Sequence, residues 1–150
     1  MPIIRKLLCL TVFFGFVSCD CGFFGSNDLG SNFALLEGDR LEDRVIVYCL
    51  GEKGDCCSGG TYIIPSYDEH YFPDGTYREY VASAKSDENW VAVKTQQQNG
   101  DIRYWLLDKT LDFDLKAYSS DESSPDYLNK LIKLKIIGPL IEDEFRKKIE

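Results

Sequence analysis

Asn89-Trp-Val-Ala-Val-Lys-Thr-Gln-Gln97 and Ile102-Arg-Tyr-Trp-Leu-Leu-Asp108 flank Gln98-Asn99-Gly100-Asp101. Both flanks are rich in β-branched and aromatic residues, and Asn-Gly is the strongest short hairpin signal a sequence carries. The spacing therefore predicts two antiparallel strands joined by a tight turn. Alternation puts Trp90, Ala92 and Lys94 on one face and Val91, Val93 and Thr95 on the other. In the second strand Tyr104 and Leu106 oppose Trp105 and Leu107. Apolar residues on both faces predict a sheet covered on both sides.

Working outward, Ser86-Asp87-Glu88 links Asn89–Gln97 to an earlier strand over 77–85. Further upstream, Thr61–Ile64 is a short strand that Pro65 stops, because proline removes a ladder donor. Arg44-Val-Ile-Val-Tyr-Cys-Leu50 is strongly strand-forming, and Phe33–Glu37 is a shorter apolar run. Residues 66–75 read as a loop ending in the Pro73-Asp74-Gly75 turn signal. Downstream, Ser124-Pro125-Asp126 starts a helix with a cap, a proline and an acid in order. Gly138-Pro139 breaks the chain, and residues 141–149 form a last helix whose acids lead and bases trail, matching its dipole. These readings predict an α+β domain: an antiparallel β-meander of about six strands with C-terminal helices packed on it.

Composition fits one such domain. The chain has 150 residues, 44% of them hydrophobic and 28% charged, close to the globular average of roughly 45–50% and 25%. Its net charge of −8 argues against nucleic acid, whose binding requires a basic face.

The first residues carry an address. Arg5 and Lys6 precede an uncharged apolar block, Leu7 to Val17, which is too short for a membrane span of about 20 residues and right for a signal peptide. Phe16-Val17-Ser18-Cys19 then resembles the lipobox of bacterial lipoproteins. That resemblance implies acyl chains on the Cys19 thiol and cleavage just before it. The expected layout is a signal peptide over 1–18, a flexible lipid-anchored tether over 19–32 (rich in Gly, Ser, Asn and Asp) and one domain over 33–150. Loss of Arg5 and Lys6 would leave a mature charge of −10. The expected location is the bacterial cell membrane or outer membrane, facing the periplasm or exterior.

Cys9 leaves with the signal. Cys21, Cys49, Cys56 and Cys57 remain as disulfide candidates in an exported chain. The turn Gly51–Gly54 places Cys49 near Cys56 or Cys57, and sequence alone leaves the pairing open. No zinc knuckle and no C-x-x-C occur, so a set of Cys49, Cys56, Cys57 and His70 is a poor metal site. No metal or cofactor is expected.

Chemistry is sparse. His70 is the single histidine. Beside Asp68 and Glu69 in a polar loop it reads as a solvated side chain rather than a catalytic one. The acids from Asp112 to Asp126 lack the spaced calcium loop and its glycine. Tyr62, Tyr67, Tyr71, Tyr77 and Tyr80 gather around residues 66–75. Cross-strand packing is the favoured reading of them, and a protein-binding patch is the other.

Trp90–Lys94, Tyr104–Lys109 and Ile137-Gly-Pro-Leu140 running into Glu144-Phe145, together with the lipobox, resemble a family of small bacterial lipoproteins whose domain has no assigned function. The resemblance covers roughly the second half of the chain. It implies a lipid anchor and one small α+β domain, and no catalytic residues. The expected function is a non-enzymatic, envelope-anchored binding or structural domain. The alternative is an acidic inhibitor or immunity protein that neutralises a basic enzyme or toxin, since an acidic surface steers onto basic partners.

Overall fold

The computed structural model describes residues 26–49, 60–110 and 131–149. Eight strands form two four-stranded antiparallel sheets, each in simple sequential order. The first sheet holds β1 (Ser26–Gly30), β2 (Phe33–Leu36), β3 (Val45–Tyr48) and β4 (Thr61–Ile64). The second holds β5 (Glu79–Ser86), β6 (Trp90–Gln97), β7 (Ile102–Asp108) and β8 (Ile136–Leu140). Two short α-helices, α1 (Tyr67–His70) and α2 (Glu142–Ile149), a 3-10 turn at Leu41–Asp43 and a helical turn at 131–133 accompany the strands among the described residues. Mixed strands and helices in sequential antiparallel order match the expected class, but the strands divide into two layers rather than one sheet of six. The division falls after Pro65. Strands apolar on one face need that face covered, and crossing to a second layer buries both inner faces at once.

One core lies between the layers. Phe33, Leu35, Ile46, Tyr48 and Ile64 from the first sheet meet Val81, Val91, Val93 and Leu107 from the second, with Ile132 added from the helical turn at 131–133. Val91, Val93 and Thr95 are buried and their neighbours are not, as alternation predicts. A bulge in β5 between Val81 and Ser83 shifts the register, so that Ala84 rather than Ser83 faces the core. In β3 all four residues are buried, which its unbroken apolar run anticipates.

The sheets are also tied by polar bonds. The Val81 N–H donates to the Arg44 carbonyl at 2.9 Å. The Ser86 hydroxyl donates to the Leu29 carbonyl at 2.6 Å, and Lys109 Nζ reaches that hydroxyl at 2.9 Å.

Three expectations change. Residues 26–32, assigned by composition to the tether, form β1 and a turn in which Ser31 and Asn32 take positive φ. Polar residues suit an edge strand whose outer side meets water, and Leu29 alone fixes its inner side. Residues 66–75 are not all loop, since α1 lies inside them. Gly138-Pro139 does not break the chain but lies within β8, the outer strand of its sheet, where proline forfeits no ladder bond. Gly138 has φ +146°, and a Cβ there would come within 2.8 Å of the Trp105 ring and 2.9 Å of the Tyr104 carbonyl oxygen. Only glycine lets this strand lie so close over Trp105.

The Asn99-Gly100 hairpin forms as expected. Gly100, at φ +92°, donates its N–H to the Gln97 carbonyl, and the Gln97 N–H donates to Asp101. At the other end α2 lies on β7, its Phe145 ring stacked on Tyr104 at 4.9 Å. The expected helix from Ser124 lies outside the described residues up to 130. No helix among the described residues is long and apolar enough to cross a membrane.

Candidate binding site

The aromatic residues around 62–80 assemble at one end of the sandwich, and His70 is their centre. The turn that builds the site starts at Ser66, whose N–H and hydroxyl both donate to the Glu69 carboxylate, at 3.0 and 2.6 Å. Burial opposes that charge, but the Ser66 hydroxyl and N–H more than offset it and hold Glu69 below the usual carboxylate range. The single turn of α1 then points His70 inward. The imidazole is 1% exposed, so the solvated histidine expected from its acidic neighbours is corrected. Its Nδ1 sits 2.6 Å from the Glu79 carbonyl oxygen. A carbonyl only accepts, so Nδ1 carries the hydrogen.

Three tyrosines contact the imidazole edge-on: Tyr71 at 4.3 Å, Tyr77 at 5.3 Å and Tyr62 at 6.0 Å between centroids. Tyr67 extends the cluster outward, 5.3 Å from Tyr71 and 5.8 Å from Tyr62. The backbone pairs Tyr71 with Tyr77 across the Pro73–Gly75 turn. Packing thus explains the inner rings, while Tyr67 remains 64% exposed. Tyr80, grouped with these from sequence, makes no ring contact with them among the described residues and faces a separate hollow.

Desolvation is the chief effect on His70 and lowers its pKa, against the opposing pull of the Glu79 carbonyl and of Asp43. The folded protein therefore binds the imidazole proton less readily than the unfolded chain. Stability contributed by neutral His70 is complete above the ordinary histidine pKa of ~6.5 and declines as pH falls below it toward the lower folded value. Because the chain has one histidine, the signal has a single source. Urea midpoints measured from pH 7.5 downward are expected to fall in this window. His70→Asn, which keeps a donor for the carbonyl, is expected to flatten the slope. The carboxylates with lowered pKa, such as Asp43, Asp74 and Glu69, act at more acid pH. An unchanged slope in the variant would remove His70 as the cause.

Tyr77 links this cluster to charge. Its hydroxyl donates to Asp43 Oδ1 and accepts from Arg40 Nη2. The Tyr77 hydrogen bond is the largest cause that lowers the Asp43 pKa, and the same bond raises that of Tyr77. The Arg40 guanidinium also lies over the Tyr77 ring, 4.7 Å from its centroid.

Behind the histidine lies a buried polar chain that sequence reading did not single out. Glu79 is 2% exposed. Its carboxylate accepts from the Thr95 hydroxyl at 2.6 Å, Gln97 Nε2 at 3.2 Å and Arg103 Nη1 at 3.3 Å. The Trp105 indole N–H in turn donates to Thr95 Oγ1 at 2.9 Å. Strand register explains the set: Glu79 pairs with Gln97, and Thr95 pairs with both Val81 and Arg103. No buried side-chain polar atom among the described residues lacks a partner, so this chain is a finished structural network. The same alternation that buries Val81 could have pointed to Glu79.

Two open hollows flank the Pro73–Gly75 turn and share Gly75 and Arg78 as a wall. One, of 490 Å³, is walled by Tyr67, Tyr71, Phe72 and Asp68. The other, of 520 Å³, is walled by Tyr77, Tyr80, Arg40 and residues 96–98, all glutamine. This arrangement suits recognition: ring faces for stacking, a guanidinium and amides for hydrogen bonds.

Of the residues proposed from sequence, Cys49 is disulfide-bonded at the end of β3. Its partner, and with it Cys21, Cys56 and Cys57, lies outside the described residues. So do Cys19, the signal peptide and Asp112 to Asp126. No group of three or more potential metal ligands occurs among the described residues. No family model, no curated protein and no solved structure matches the chain.

Proposed function

We infer that the protein is an envelope lipoprotein, anchored by acyl chains on Cys19, whose sandwich domain binds another component and performs no chemistry of its own. The observation that carries the binding role is the tyrosine end of the sandwich. Rings held from within by His70 present Tyr67 and the outer edge of Tyr71 to solvent beside two hollows. Rigid aromatics backed by a core lose little entropy on binding, which is why Tyr and Arg concentrate in recognition sites. Buried His70, with Nδ1 committed to a carbonyl, is occupied in supporting the rings. The anchor rests on Phe16-Val17-Ser18-Cys19 and on the resemblance to small lipoproteins. An acidic body gains nothing from anionic headgroups, so a short tether that holds it off the bilayer fits this reading.

Two measurements test the two halves. The intact mass of native protein from the membrane fraction is expected to show a chain starting at Cys19 with added acyl mass. An uncut chain, or a soluble one without lipid, would overturn the anchor. A photo-crosslinker at Tyr67 in the living cell is expected to trap one discrete adduct, and the absence of any adduct would overturn the binding role.

A further inference from the structure

We propose that the two hollows beside the Pro73–Gly75 turn form a binding site for a short glycan, with a sugar ring stacked at Tyr67 and Tyr71 and its oxygens on Arg78. This deepens the binding role inferred above and rests on it.

Arg78 supplies the first argument. Among the described residues Arg40, Arg44, Arg103 and Arg146 each pair with a carboxylate. Arg78 pairs with none, and its guanidinium lies over the Phe72 ring, 5.8 Å from the centroid. Arg78 acts on the Glu69 carboxylate through its charge alone, without an ion-pair contact among the described residues, so its exposed guanidinium keeps its fork of donors available. The backbone holds its position: the Arg78 N–H donates to the His70 carbonyl, and the Arg78 carbonyl accepts from Gln98, at 2.8 and 2.9 Å.

The lining supplies the second. Neither hollow is lined by Leu, Ile, Val or Met. An acyl chain or the apolar anchor of a protein partner would find no aliphatic wall, and a protein interface of standard size covers about 800 Å² per partner, which two shallow hollows do not provide. A bare cation is disfavoured by Arg78 in the shared wall. A pyranose ring has the complementary chemistry. Its C–H face stacks on an aromatic ring, and its hydroxyl rim both donates and accepts. Tyr67, Tyr71 and Phe72 supply the rings, Arg78 the donors and Asp68 an acceptor. Across Gly75, the amides of Gln96 and Gln98 offer donors and acceptors together, so a second sugar has partners in the adjoining hollow.

The test uses the full chain in a detergent that carries no sugar. Cellotetraose, chitotetraose and tetragalacturonate are titrated separately by calorimetry. At least one is expected to bind saturably. Tyr67→Ala and Arg78→Gln are both substitutions of exposed side chains, so the fold is expected to stand with the melting temperature unchanged. Arg78→Gln is expected to weaken binding by about tenfold or more, since hydrogen bonds to a charged group contribute ~1.5–3 kcal/mol and 1.4 kcal/mol is tenfold. Tyr67→Ala, which removes the stacking ring, is expected to weaken it measurably as well. Failure of all three sugars, or equal binding by both variants and the parent, would overturn the proposal. If the sugars fail while a crosslinker at Tyr67 still traps a protein, the glycan class falls and the binding role stands.

Discussion

Phe33→Ala is expected to destabilise the domain by about 3–5 kcal/mol, the range for emptying a buried phenylalanine site. Phe33 is 1% exposed and sits where the two sheets meet. Its ring packs edge to face on Tyr48, its register partner in β3, at 5.4 Å between centroids. The truncation therefore removes contact area, leaves a cavity that two hydrogen-bonded sheets cannot close, and loses an aromatic pair. Native domains are stable by only about 5–15 kcal/mol, so the variant retains a small margin at best. Urea unfolding followed by tryptophan fluorescence reads this directly, because Trp105 packs against the same core. Phe33→Leu keeps most of the volume and is expected to lose much less. A loss below about 1 kcal/mol for Phe33→Ala would mean that the sheets are not held by this core.

Glu79→Ala is the second large loss, expected at about 3 kcal/mol. Breaking a buried ion pair by deleting one partner typically costs ~3–5 kcal/mol. The lower end applies because the Arg103 side chain is 40% exposed and regains water. What cannot escape is Thr95, fully buried, whose hydroxyl loses its acceptor while still receiving the Trp105 indole N–H. Glu79→Gln keeps an oxygen for Thr95 and gives up the charge facing Arg103, so roughly half the loss is expected. Denaturation midpoints of the two variants separate the hydrogen bond from the charge. Equal losses would mean that charge alone matters. No loss in either would show that Glu79 is replaceable. His70 is expected to respond as well, since its Nδ1 bonds the backbone carbonyl of this residue. The network thus ties the sheet interior to the tyrosine end.

The histidine and the glutamate show why half of the candidate site escaped a linear reading. Both sit among polar neighbours in the chain, and polar neighbours usually mean water. Their burial comes from contacts across strands: Glu79 against Thr95 and Arg103, and His70 against Tyr62 and Tyr77. The tyrosines were legible as a cluster because they lie within twenty residues of one another. Which of them pack and which face solvent was not legible, since a single turn of helix inside residues 66–75 rotates Tyr67 outward and His70 inward.

Local pattern alone determined the strands from Phe33 to Asp108, the turn at Asn99-Gly100, the terminal helix and the inward face of β6. Each of these depends on residues two to four apart, where alternation and turn chemistry act. Tertiary structure decided the rest. It recruited polar residues 26–30 as an edge strand, because the open side of β2 offered a ladder of unpaired donors and acceptors. It admitted Gly138-Pro139 to a strand, because an outer strand needs hydrogen bonds on one side only. It also folded one expected sheet into two, because each apolar face is stable only against another, and the chain could meet that demand only by closing on itself.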